Sequence, residues 1–137
     1  MPENHKTFRS VATRLPAQDL ARARRWYAEK LGLEPVEERP GGLRYRIGEG
    51  EFSIFTSVGS SPGTFTQLAI TVDDIRATAV LLRSRGVELL DYDSPPLVTV
   101  DGIARLEGNY PSKGIAELGC WFLDSEGNMI GVGQSLT

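Results

Sequence analysis

Few side chains in this 137-residue sequence could do chemistry, and their types exclude more than they allow. There is one histidine, His5, in a polar N-terminal stretch. A single histidine cannot build a multi-histidine zinc or iron site within one chain. A Ser-His-Asp or Cys-His arrangement would have to draw His5 out of that tail. The one cysteine, Cys120, excludes an internal disulfide and fits a reducing cytoplasm. Nothing near it in sequence would lower its pKa, so it reads as a small buried hydrophobe. What remains is an amide at Gln67, carboxylates at Glu51 and Glu117, guanidinium groups at Arg14, Arg44 and Arg46, and an indole at Trp121. These groups suit an organic ligand held by stacking and a few hydrogen bonds.

The totals narrow the partners. A net charge of −3 argues against nucleic acid. The run Arg22, Arg24, Arg25 has no interleaved aromatics and reads as a solvated helix face. No apolar run approaches the length of a membrane span. The N-terminus lacks the apolar core of a signal peptide, so the expected location is cytoplasmic. At 40% hydrophobic and 24% charged, the composition is that of an ordinary globular domain.

The elements that must position these groups are readable from period. Residues 65–86 begin as a strand, with Leu68, Ile70 and Val72 alternating against Gln67, Ala69 and Thr71. At Asp73-Asp74 the period changes, and Ile75, Thr78, Ala79 and Leu82 recur at helical spacing. Asp73 is the expected cap and Gly86 the expected stop. Earlier, residues 8–15 read as a strand ended by Pro16. Asp19 then caps a helix striped by Leu20, Ala23, Tyr27 and Leu31 and closed by Gly32. Strands follow at 34–39, 43–47 and 51–57. The expected division of the single domain, residues 1–137, is a first module at about 8–57, a linker at 58–64 and a second module at about 65–134. Within the second, 87–91, 97–100, 115–123 and 128–134 read as strands. Residues 101–114 read as a long loop of the kind that often carries binding residues.

The two halves resemble each other. The run from Leu15 through Asp19-Leu20 to Leu31-Gly32-Leu33-Glu34 matches the run from Ile70 through Asp74-Ile75 to Arg85-Gly86-Val87-Glu88. With Trp26-Tyr27, Thr71-Val72-Asp73-Asp74 and the turn Asp124-Ser125-Glu126-Gly127-Asn128, this pattern resembles the vicinal oxygen chelate superfamily. Its members include glyoxalase I, extradiol dioxygenases, and the bleomycin- and fosfomycin-resistance proteins. The turn departs from that family's Asp-Pro-Asp-Gly-Asn at Ser125 and Glu126. The resemblance implies an α+β fold in which two tandem βαβββ modules form a curved mixed sheet, a cup with helices outside. It also implies a homodimer, side by side or with modules exchanged.

In metal-using members of that family four ligands sit on cup-facing positions. By the resemblance these fall here on Ala12, on Ser53 or Phe55, on Gln67 and on Gly131. Only Gln67 could bind a metal, and a hard dication wants several oxygen ligands. The expectation is therefore no metal and no cofactor. Strand parity gives the lining: Ala12 and Arg14; Ser53 and Phe55; Gln67, Ala69 and Thr71; Gly119 and Trp121; Met129, Gly131 and Gly133. From these, Arg14, Phe55, Gln67, Trp121 and Met129, together with Tyr110 in the long loop, are the expected ligand contacts. Each has a plainer reading: Trp121 as core, Gln67 as a polar edge residue, Tyr110 packed on its own loop. The leading function is metal-independent binding of a small aromatic or antibiotic-like molecule, with resistance by sequestration as one outcome. The alternative is a metal-dependent lyase, isomerase or dioxygenase in which Glu51 and Glu117 serve with Gln67. A third reading is a structural or regulatory partner.

Overall fold

A computed structural model describes residues 7–108 and 114–137. His5 and Tyr110 lie outside the described residues. The chain begins with β1 (Thr13–Ala17), helix α1 (Leu20–Trp26) and a π-helical turn over Tyr27–Leu31. Strands β2 (Glu37–Arg39), β3 (Gly42–Ile47) and β4 (Gly50–Thr56) follow. They form one sheet in the order β1-β4-β3-β2, with β1 parallel to β4 and the other pairs antiparallel. The order then repeats with β5 (Thr66–Thr71) and α2 (Ile75–Ser84). A short hairpin of β6 (Asp93–Ser94) and β7 (Leu97–Val98) precedes β8 (Ala104–Glu107), β9 (Ala116–Leu123) and β10 (Met129–Leu136). The second sheet runs β5-β10-β9-β8, again with its first and last strands parallel. The expected α+β architecture of two mixed four-stranded sheets is therefore present.

Four local expectations need correction. The first strand does not stop at Pro16 but runs through it, with Pro16 in register with Phe55. β1 is an edge strand, where a missing N–H costs no ladder bond. The cap of α2 is Asp74, whose side chain accepts from Ala77 N at 3.1 Å, and not Asp73. Residues 101–114 are not all loop, because β8 lies within them and pairs with β9. Conversely, residues 87–91 make no strand. They are tied to β9 by the bond from Leu90 N to Trp121 O at 2.8 Å.

Each sheet has one face against the helices. Leu15, Ile54, Phe52, Leu43 and Tyr45 of the first sheet meet Cys120, Phe122, Ile130 and Val132 of the second in a single cluster. Ala23 and Tyr27 of the first helical segment and Ile75, Ala79 and Leu82 of α2 complete it. Burial raises the Cys120 thiol to about 11, so it stays protonated as an inert core group.

A polar joint holds the two modules in register. Glu126, in the β9–β10 turn, accepts from the backbone N–H groups of Gln18 and Asp19 at 3.0 and 3.1 Å. It also takes both faces of the Arg22 fork, at 2.8 and 3.0 Å. Tyr27 donates to Asp124 Oδ2 at 2.6 Å. Asn128, fully buried, donates to Pro16 O and Asp124 Oδ2 at 3.0 Å each. Arg22, with help from Ser125 and the backbone, lowers the Glu126 carboxyl to about 2 against the opposing effect of burial. At the other end of the helices, Lys30 Nζ donates to Arg85 O and Arg85 donates back to Lys30 O.

This joint and core are testable by three substitutions. Tyr27→Phe removes a buried donor to a carboxylate and should cost about 1–3 kcal/mol in urea unfolding. Tyr45→Phe should be neutral or stabilising by up to about 1 kcal/mol, because the buried Tyr45 hydroxyl has no partner among the described residues. Opposite signs for one chemical change make the pair diagnostic. Glu126 has a folded pKa below its ordinary value of 4.5, so its stabilisation is present above that value and is lost as pH falls toward 2. Glu126→Gln should therefore flatten the acid limb of the stability–pH curve between those limits. It should also lower neutral-pH stability by about 1–3 kcal/mol.

Candidate functional site

The faces of the sheets turned away from the helices carry the candidate contacts. On the second sheet, β9 presents Glu117, Gly119 and Trp121, and β10 presents Met129, Gly131 and Gly133. Gly131 stands opposite Trp121, and Gly133 opposite Gly119. The indole spans the two strands. A methyl built on Gly131 would sit 3.2 Å from its pyrrole-ring atoms, and one on Gly119 would sit 3.3 Å from its benzo ring. A methyl on Gly133 would overlap the Glu117 carboxylate. Trp121 thus rests on bare backbone, with Glu117 lying beside it over Gly133.

Tyr92, from the segment before β6, meets the indole edge-on at 5.6 Å and 88°. Its hydroxyl reaches Met129 Sδ at 3.9 Å. Met129 is buried there, beneath Tyr92. Trp121 stays half-buried and borders a hollow of about 160 Å³ with Glu117, Ala69 and Thr71. Sequence reasoning missed Tyr92. The segment that delivers it forms no strand before the two-residue β6, so no period marks the face it occupies.

Gln67 has a different role from Trp121. The ladder between β5 and β10 slips by one residue at this point, so Met129 pairs with Thr66 and Ile130 with Leu68. Gln67 is the extra residue of this bulge. Its amide nitrogen donates to Ser61 Oγ at 2.9 Å and Asn128 Oδ1 at 3.3 Å, and its carbonyl accepts from Met129 N at 3.3 Å. Ser61 Oγ itself donates to Asn128 Oδ1. The side chain pins the connection between the sheets to the β9–β10 turn.

The first sheet's open face holds Arg14 and Phe55. The guanidinium carbon lies 4.3 Å from the centre of the Phe55 ring. Both border a hollow of about 410 Å³ with Ser53, Gly42 and Arg44. No described cavity is lined by both Arg14 and Trp121. A third hollow, about 670 Å³, lies between the β3–β4 turn and the open edge of β5. Its charged and amide groups are already engaged: Glu51 by Arg44 and Arg46, and Gln67 as described. Its size alone does not make it the site.

The donor set does not fit a metal ion. Among the described residues no three His, Cys, Asp or Glu side chains come together. Gly131 supplies only backbone beneath an indole, and both ends of the Gln67 amide are in use.

With this geometry in place, the comparisons fall into line. The chain matches the Glyoxalase/Bleomycin resistance protein/Dioxygenase superfamily over residues 9–132, and it belongs to that superfamily. No curated protein matches it at a significant level. A glyoxalase/bleomycin resistance protein/dioxygenase from Alicyclobacillus acidocaldarius superposes with a TM-score of 0.68 at 15% identity, covering 95% of this chain and 96% of that one. A bleomycin-binding protein solved with bleomycin gives 0.63 at 18% identity, covering 94% and 100%. TnmS3, an antibiotic-binding protein from Streptomyces sp. CB03234, gives 0.60 at 24% identity, covering 93% and 97%. At these identities the likeness is one of fold. No described helix is long and apolar enough to cross a membrane.

The seating of Trp121 is testable. Gly131→Ala should push the indole outward and shift its emission to longer wavelength, with stability changing by less than about 1 kcal/mol. Repeating the measurement in Trp26→Phe isolates the signal from Trp121.

Proposed function

We propose that the protein binds a small planar aromatic molecule, antibiotic-like in size, on the Trp121 face, without a metal ion and as a homodimer. The observation that carries this reading is the indole laid across Gly119 and Gly131, half-exposed and braced by Tyr92. A ring held in this way loses little freedom when a second ring stacks on it. Metal independence is supported by the donor set at Gln67 and Gly131. The printed names of two structural neighbours, a bleomycin-binding and an antibiotic-binding protein, favour the same ligand class. Sequestration of such a compound in the cytoplasm is the biological role this reading implies.

The size of the hollow supports the homodimer. Pockets for drug-sized ligands run from roughly 300 to 1,000 Å³. The hollow at Trp121 is about 160 Å³, and a second wall closing over it would bring it into that range. The open face of the first sheet, from a partner protomer, supplies a complementary wall with Arg14 and Phe55. The edges of β1 and β5 are unpaired in both sheets, which leaves strand surface for such an assembly.

An enzymatic reading that gathers Glu51, Glu117 and Gln67 into one ligand set fits less well. Glu51 and Gln67 border one hollow, but Arg44 and Arg46 hold the Glu51 carboxylate, and Glu117 lines another.

The test is a titration of planar aromatics followed by tryptophan quenching and calorimetry, with sedimentation to count protomers. Trp121→Ala should weaken binding by roughly tenfold or more, as loss of an aromatic anchor does. Trp26→Phe should leave it unchanged. A monomer that binds fully, or a Trp121→Ala variant that binds like the parent, would overturn the reading.

A further inference from the structure

We infer that the ligand carries an oxyanionic group, a carboxylate on its aromatic body, and that Arg14 is the residue that selects it. This deepens the function proposed above and rests on it. The argument is one of charge on the first sheet's open face. Four arginines and two glutamates share that face: Arg14, Arg39, Arg44 and Arg46 against Glu37 and Glu51. Glu37 takes Arg39 at 2.6 Å and Arg44 at 3.0 Å. Glu51 takes Arg44 at 3.1 Å and Arg46 at 2.7 Å. These arginines hold both carboxyls below the usual range, so both are charged at neutral pH. Two carboxylates therefore serve three arginines, and the fourth is left over.

The Arg14 side chain makes no ion pair or hydrogen bond with any described residue; its one contact of note is the Phe55 ring. That contact holds the guanidinium near the ring without using its N–H groups. Opposite Phe55 on β3 is Gly42, which adds no side chain, and beside Arg14 on β4 is Ser53, whose hydroxyl can donate to an anion. The result is an unpaired guanidinium beside a hollow of about 410 Å³ on a face of net charge +2, in a chain whose net charge is −3. A planar carboxylate matches a guanidinium fork in two parallel bonds. The ligand's ring system is then left free to stack on Trp121 of the opposing wall.

The experiment uses 2-naphthoate and its neutral isostere 2-naphthamide as probes, with the full chain, by calorimetry and Trp121 quenching. The wild type should bind the carboxylate about tenfold more tightly than the amide, the effect expected of a charge-assisted hydrogen bond. Arg14→Gln should erase this preference, so that the variant binds the carboxylate and the amide equally. Its side chain is exposed, and a matching thermal melt confirms folding. Equal binding of the two probes by the wild type would overturn the anion assignment and leave the aromatic site standing. A preference that survives in Arg14→Gln would overturn the role of Arg14. If neither probe binds, the aromatic-ligand reading falls, and this inference falls with it.

Discussion

The structure depends on one buried joint, in which the turn between β9 and β10 grips the start of α1. Glu126 collects two backbone N–H groups, a guanidinium fork and the Ser125 hydroxyl. A charge this buried would be costly if it were only partly satisfied. Here every hydrogen bond it accepts from outside its own turn comes from the first module, so the two modules cannot separate without stranding it. Asp124 and Asn128 extend the joint to Tyr27, Pro16, Ser61 and Gln67. The relative setting of the two sheets is therefore fixed by directional bonds. The shared apolar core adds energy but constrains direction less.

Much of this was legible in sequence, and the reason is periodicity. Alternation in β3, β4, β5 and β9 marks which residues face the helices, and burial of Phe52, Ile54, Cys120 and Phe122 follows that parity. Asp19 caps its helix as the residue type requires, accepting from Arg22 N at 2.9 Å, and Gly32 takes the left-handed turn with φ 68°. The internal repeat and the Asp-Ser-Glu-Gly-Asn turn pointed to the superfamily to which the chain belongs.

What stayed hidden depends on long-range pairing. β8 lies between glycines, and only its partner β9 makes it a strand. The role of Glu126 could not be seen, because its partners lie more than a hundred residues away in the chain. The bulge at Gln67 is invisible to a parity rule that assumes an uninterrupted ladder. That bulge sets the Gln67 amide against Ser61, Asn128 and Met129. The separation of Arg14 from Trp121 within one chain is likewise a property of how the modules are set, which no local pattern records.

On β9 the odd positions from Glu117 to Trp121 and the even positions from Leu118 to Phe122 lie on opposite sides of one sheet. The even ones are committed to the core, while Glu117 and Trp121 lie over glycine backbone. The packing face and the open face are thus interleaved along a single strand. An exchange at Trp121 alters the open face without touching the side chains of β9 that pack into the core.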